Sequence, residues 1–460
     1  MAERPNFLFV FDDQHRYDYL GAAGAAWIDT PNLDRIAARG MRFTQCAVNA
    51  PVCAASRMAL ATGLSPIRAG VLMNGFGKAA HDTPTFYQRL RDHGYWVAST
   101  GKLHLGPLGA AGPYGQPPGA YRLGFTHPHD CEGKMAAGYQ RKANGPYSHY
   151  LQELGLLDDF IADYQKRIEV GWGHANWDSV LPAEAFADAF IGRYATEWIA
   201  DVPDVNPWFM VVNFVGPHSP FDPPRKYADK YRNREMPKAI PWIEDGKPQW
   251  ILDRDLGLSP QAITEAQRQY CAAIEAIDDQ VGTMLDALEH RGMLDNTYIV
   301  FSSDHGEMLG DFGMYAKYVP CEGALRVPLL VAGPGIEPGQ VSDALVELID
   351  INATICELAG MRAQEHIDAQ SFAPVLCGEA TEHRTETASL LDNFRCIRNR
   401  DYKFIENYND ICELYDLRQD PGERNNIADE MPAVREEMRG RLRERFFGGR
   451  KAPAGMPIKL

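Results

Sequence analysis

The chain has 460 residues, 45% hydrophobic and 23% charged, a composition ordinary for a globular protein and a length that calls for two domains or for one large domain with an appendage. Its formal net charge of −16 argues against broad binding to nucleic acid or anionic membranes, yet leaves room for an anionic small substrate in a local cationic pocket. No apolar run reaches the ~18 residues of a membrane span, the nine cysteines lack the paired C-x-x-C spacing of a disulfide framework or structural zinc site, and the start MAERPNFLFVF lacks a secretory layout, so a cytoplasmic protein is expected.

In chain order, short apolar runs stop at polar residues. FLFVF (7–11) ends at Asp12 and Asp13. The helical segment 31–40, PNLDRIAARG, opens on proline and closes on glycine, the expected punctuation. The stretch 53–62 has good helix formers and stops at Gly63; it starts with Cys53 and carries Arg57 one turn on. Helical spacing recurs over 83–94. YWVAST (95–100) runs into Lys102 and His104, WFMVVNFV (208–215) into His218, and TYIVFSS (297–303), after a long helical stretch at 264–292, into Asp304 and His305; RVPLLVAG begins at Arg326. Continuous apolar runs of this kind suit strands buried on both faces, and their alternation with helices predicts an α/β domain with a parallel or mixed sheet. Residues 106–180, rich in Gly, Pro, Tyr and His with weak periodicity, read as insertions shaping a pocket mouth. From about residue 381 the texture changes to an antiparallel meander followed by a helix, a small C-terminal α+β domain behind a catalytic unit spanning 1–380.

Ligands of open α/β sheets bind beyond the carboxyl ends of the strands. Four such ends here carry reactive residue types. Any one alone reads more readily as a turn or a packed residue; four together point to a site. Asp12, Asp13 and Asp304 brought close would repel unless a cation joined them, and mostly oxygen donors, with a nitrogen from His305, favour Ca²⁺ first and then Mg²⁺ or Mn²⁺. Adjacent strand residues face opposite ways, so Asp12 and Asp13 can share an ion only where the strand ends or bends. Lys102 and His104 point the same way in an extended segment, toward an anion. Cys53 at a helix N-terminus beside Arg57 has the setting of an activated nucleophile, against the commoner fate of an inert buried thiol.

Cys53-Ala54-Ala55-Ser56-Arg57 resembles the C-x-(P/A)-x-R signature of the type I sulfatases of the alkaline phosphatase superfamily. PNFLFVFDDQH, TPNLDRIAARGMRFTQCAV, GKLHLG, GPHSPFDPP, SSDHGEMLGDFGMYAKYVPCEGALRVPLLVAGPG and ELYDLRQDPGERNNIA are similar to further motifs of that family, in its order. The resemblance implies a large mixed alkaline-phosphatase-like sheet and hydrolysis of a small anionic sulfate ester. Cys53 would be oxidised to formylglycine (3-oxoalanine) by a maturase and, as the hydrate, act as nucleophile and metal ligand. Asp12, Asp13, Asp304 and His305 would hold the metal, Arg57 the hydrate, and Lys102 and Lys317 the sulfate oxygens. His104 would aid collapse of the covalent intermediate, His218 would stabilise the ester oxygen or protonate the leaving group, and Asn74 would touch substrate. Two departures carry meaning. Ala55 replaces the commoner proline and bears on which maturase acts. His305, where many arylsulfatases have asparagine, keeps phosphonate or phosphate ester hydrolysis as an alternative; a non-catalytic binding homologue is a further one. Aryl, carbohydrate and choline sulfates all fit as substrates, and no sequence feature speaks to oligomeric state.

Overall fold

The computed structural model describes residues 4–75, 83–106, 111–140, 142–171 and 173–448. Eight strands form one sheet: β1 (Asn6–Asp13), β2 (Met41–Ala47), β3 (Trp96–Gly101), β4 (His127–Asp130), β5 (Trp208–Pro217), β6 (Thr297–Ser303), β7 (Arg326–Ala332) and β8 (Gln340–Glu347), in the order β4-β3-β5-β1-β6-β7-β2-β8. Only β7 runs against the rest, pairing antiparallel with β6 and β2. The central strands β1, β5 and β6 are buried along their whole length. Their side chains alternate between two cores: Phe7 and Phe9 join Phe209, Val211 and Val300 on one face, while Leu8 and Val10 join Met210, Val212, Ile299 and Phe301 on the other, the period-2 consequence of the pleat. Helix α1 (Pro31–Arg39) and the 31-residue helix Pro260–His290 cover the second face. Helix α2 (Cys53–Thr62), buried at all ten positions, lies in the first.

The strands legible as apolar runs are β1, β3, β5, β6 and β7. Those that escaped are β2, with polar residues at its middle, and the two sheet edges β4 and β8, where one side needs no burial. The 106–180 stretch is more helical than its composition suggests. Its described part holds helices Pro118–Arg122, Gly133–Tyr139, Pro146–Glu153 and Leu157–Val170, the last with Leu157, Phe160, Tyr164 and Arg167 buried along one stripe; residues 107–110, 141 and 172 lie outside the described chain. Beyond it, β9 (Thr387–Leu390), β10 (Phe394–Arg398), β11 (Tyr402–Asn407) and β12 (Glu413–Asp416) form an antiparallel sheet. One face of it gives Phe394, Cys396, Ile405 and Tyr415 to the main core, and the other packs Ile397, Phe404 and Leu414 on helix Pro432–Phe447 through Met438 and Leu442. The C-terminal sheet is thus fused to the main core.

Candidate active site

Sheet order brings the reactive strand ends together. Strands β3, β5, β1 and β6 are consecutive neighbours, parallel, and finish at the same edge. Lys102 and His104 leave β3, His218 leaves β5, Asp12 and Asp13 close β1, and Asp304 and His305 follow β6. Helix α2, reached from β2, drives its N-terminal Cys53 into the middle of this group.

Around Cys53 the packing is close. Its Sγ lies 3.2 Å from His305 Nε2, 3.7 Å from Asp13 Oδ1 and 3.9 Å from Lys102 Nζ. His305 Nδ1 donates to the Gly306 carbonyl at 2.9 Å, and its Nε2 is turned toward the thiol and the carboxylates. One donor atom each from Asp13, Cys53, Asp304 and His305 falls within 4.8 Å of the others, a group that can hold a metal ion. Burial pushes the Cys53 thiol up, but Lys102, Lys317 and His305, with a hydrogen bond from His104, outweigh it and hold it well below its ordinary value. Burial likewise raises Asp304, against the pull of Arg57. For Asp13, Lys102 and neighbouring cations overcome burial and hold the carboxyl low.

The two aspartates of β1 divide. The register of β1 against β5 shifts between Phe11 and Asp13, and the side chains part there. Asp13 Oδ2 accepts from Lys102 Nζ at 2.5 Å. Asp12 lies outside the group of four donors: its Oδ2 pairs with His15 Nδ1 at 2.6 Å, and its Oδ1 is buried without a partner. His15 Nε2 faces the Tyr19 carbonyl at 2.8 Å. Both of its partners only accept, so His15 carries a proton on each nitrogen. Burial opposes that charge and Asp12 favours it, with a net upward shift. An orphaned, fully buried carboxylate oxygen on the residue next to Asp13 fits a divalent cation.

Arg57 is 2% exposed. Its Nε donates to Asp304 Oδ2 at 2.7 Å and its Nη1 to the Lys102 carbonyl at 2.8 Å and Asn213 Oδ1 at 3.0 Å. It shares a face with Cys53, as the spacing predicts, but its bonds go to the carboxylate behind the thiol. Lys317 and His218 meet at 2.6 Å through Nζ and Nε2, and His218 Nδ1 donates to the Ser219 carbonyl at 2.6 Å. That bond fixes the tautomer: Nε2 is bare, and the proton between them belongs to Lys317. Burial, then Lys317, lowers His218 to about 4. Asn74 is exposed, and its Oδ1 accepts the Ala54 N–H at 3.1 Å, capping the start of α2. Sequence reading missed Gln14, His15, Asn213 and Glu307. The continuation of FDDQH past the strand in polar residues, with His15 three positions after Asp12, was the available signal.

A family model described as Sulfatase matches residues 5–361, and one described as N-sulphoglucosamine sulphohydrolase, C-terminal, matches residues 310–447. An arylsulfatase of Clostridium perfringens is 27% identical, covering 99% of this chain and 98% of its own. A choline-sulfatase of Rhizobium meliloti is 29% identical over 93% of this chain and 83% of its own. Among solved structures, one in complex with its substrate D-glucosamine-2-N,6-O-disulfate superposes with a TM-score of 0.78 at 22% identity, covering 96% of this chain and 97% of that one. A phosphonate monoester hydrolase of Agrobacterium radiobacter gives 0.79 at 22% identity, covering 96% of each chain. The fold is the alkaline-phosphatase-like fold of these neighbours, and with a family model spanning the whole main sheet the chain belongs to the sulfatase family of enzymes.

Proposed function

We propose that the chain hydrolyses a sulfate monoester at Cys53. The observation that carries this reading is the surrounding of one buried helix N-terminus by two lysines, three histidines and a cluster of cation ligands. When Cys53 is converted to formylglycine and water adds to the aldehyde, one hydroxyl of the hydrate supplies the oxygen nucleophile, and a divalent cation held by Asp12, Asp13, Asp304 and His305 would supply Lewis acidity there. Calcium suits the oxygen-rich donor set best, with magnesium or manganese as alternatives.

The remaining work falls to side chains of this chain. Arg57 holds Asp304 in place from behind. Lys102 and Lys317 receive the sulfate oxygens; at an effective dielectric of 20, each charge pair at 4 Å contributes about 4 kcal/mol. Lys317 Nζ carries the proton that goes to the departing ester oxygen, and His218 Nε2 holds that ammonium in line as its acceptor. His104 takes the proton from the side chain at position 53 when sulfate leaves.

A second reading, phosphonate or phosphate ester hydrolysis, is favoured by His305 and by the fold shared with the phosphonate monoester hydrolase. One experiment addresses both: co-expression with a formylglycine-generating maturase, mass spectrometry of the Cys53 peptide, and turnover of aryl, sugar and choline sulfates beside phenylphosphonate esters. Full sulfatase turnover with Cys53 still a thiol defeats the formylglycine chemistry. Turnover of phosphonate esters alone defeats the sulfate assignment.

A further inference from the structure

Behind Lys317 lies a buried strut. Glu307 is fully buried. Its Oε1 accepts the backbone N–H groups of Leu309, at 3.0 Å, and Ala316, and its Oε2 accepts from Gln14 Nε2. All three partners are donors, so the group is met as a carboxylate. Gln14, also fully buried, turns its other end to Lys317, with Oε1 accepting from Nζ at 2.5 Å. An amide can face either way, but here both neighbours dictate one orientation: the carboxylate demands the NH₂ and the ammonium demands the oxygen. Gln14 is tied down further, its N–H donating to Asp304 Oδ1 at 3.2 Å and its carbonyl accepting from Tyr270 Oη at 2.6 Å.

The backbone on both sides is strained. Gln14 has φ 80°, and Lys317 sits between Ala316 at 65° and Tyr318 at 73°. Non-glycine residues adopt this left-handed region at an energetic cost, sustained only where surrounding contacts over-determine the conformation. Glu307 supplies one such contact to each strained segment, through Gln14 Nε2 and through the Ala316 N–H. The lysine that meets His218 is therefore set by a carboxylate that touches neither substrate nor nucleophile.

We propose that Glu307 is a positioning residue which, through the Gln14 amide, aims the Lys317 ammonium at His218 and Cys53. This rests on Lys317 being the proton donor to the ester oxygen. The test exploits hydrogen-bond polarity. In Glu307→Gln the oxygen still accepts from Leu309 and Ala316, while the new NH₂ confronts that of Gln14. Gln14 then turns over and presents donors to the ammonium, which moves away. In the swap Gln14→Glu with Glu307→Gln, the amide at 307 donates to the carboxylate at 14, whose other oxygen accepts from Lys317, so every bond polarity is restored. The single substitution is expected to lower kcat on phenyl sulfate about 10–100-fold, a part of the roughly 10²–10⁴-fold that a positioned general acid contributes. The loss should be smaller on 4-nitrophenyl sulfate, whose leaving group needs no proton; the swap should recover most of it. Full turnover of phenyl sulfate by Glu307→Gln, or an equal loss on both esters that the swap does not repair, overturns the proposal. Should Glu307→Gln not fold, Gln14→Glu, which sets two carboxylates face to face, is compared with the swap, and the absence of recovery overturns it equally. Lys317→Ala separates the two readings. If it retains full turnover of phenyl sulfate, the role of Lys317 fails; if it is impaired while Glu307→Gln is not, only the positioning role fails.

Discussion

The Arg57 guanidinium stands behind the Asp304 carboxylate, with Nε donating to Oδ2 at 2.7 Å, while Nη1 is spent on the Lys102 carbonyl and Asn213. A cation one turn from a cysteine invites the reading that it serves the sulfur. Here the long side chain passes beneath Cys53 and fixes two other pieces of the site, the end of β6 and the start of the Lys102 loop. Its fork geometry matters as much as its charge.

Arg57→Lys keeps the charge and loses the fork, since one ammonium cannot reach Asp304, Asn213 and the Lys102 carbonyl together. Loss of an orienting partner behind a ligand commonly costs 10–100-fold in metal affinity. Calorimetric titration with Ca²⁺ and Mn²⁺ should therefore show about a tenfold or greater weakening, and unchanged affinity would remove Arg57 from this role. Arg57→Ala leaves Asp304 buried beside Asp13 without its cation, and urea unfolding should show a loss of about 3–5 kcal/mol.

Asp12 Oδ1, buried and without a partner, makes cation binding measurable as stability. An ion that binds only the folded chain adds about 2.7 kcal/mol at a hundredfold excess over its Kd. Chelator treatment should lower the melting temperature, and Ca²⁺ should restore it more strongly than Mg²⁺. Asp12→Ala should shrink that increment at fixed ion concentration. An equal increment in the variant would mean that the four-residue group of Asp13, Cys53, Asp304 and His305 holds the ion without Asp12.

Much of this site was legible because its chemistry sits where apolar runs stop, and a run buried on both faces must stop at a sheet edge. Asp12, Lys102, His218 and Asp304 are conspicuous for that reason. Lys317 is not: it lies in a strained loop with no periodicity, and only the family resemblance marked it. Glu307 and Gln14 were invisible because a glutamate two residues past His305 and a glutamine after two aspartates look like solvated turn residues. Their importance lies in partners 293 and 303 residues away in the chain, which no local pattern encodes. The division of Asp12 from Asp13 falls at a two-residue shift in register between β1 and β5, equally silent in the sequence. The C-terminal meander was visible as a change of texture, but its fusion to the main core was not, since both of its faces carry apolar residues.

Asn74 tests a resemblance against a contact. Its side chain accepts the Ala54 N–H at 3.1 Å, satisfying one of the open donors at the start of the helix that begins with Cys53. Asn74→Ala should cost about 1 kcal/mol, the scale of a lost N-terminal cap, with KM for aryl sulfates within about twofold of wild type. Asn74→Asp should retain the cap. A large rise in KM without loss of thermal stability would instead mark Asn74 as a substrate ligand.

Asp130 links pH to the loop that carries Lys102 and His104. It closes β4, and its Oδ1 accepts the N–H of Leu103, between those two residues, at 3.0 Å. Burial, reinforced by Glu132, pushes its carboxyl up to about 7 from an ordinary 3.8, against the pull of the Leu103 N–H and Arg57. Between those two values the folded chain holds a proton that the unfolded chain has released. The contribution of this group to stability therefore falls as pH rises from about 4 to about 7 and is level above that. Asp130→Asn keeps an oxygen for Leu103 and removes the titration. Its stability relative to wild type should climb across the same window, by about 4 kcal/mol in all. Urea unfolding at pH 5 and pH 8 measures the climb. Parallel pH profiles for the two proteins would mean that Asp130 is ionised in the fold, with the Leu103 N–H and Arg57 outweighing its burial.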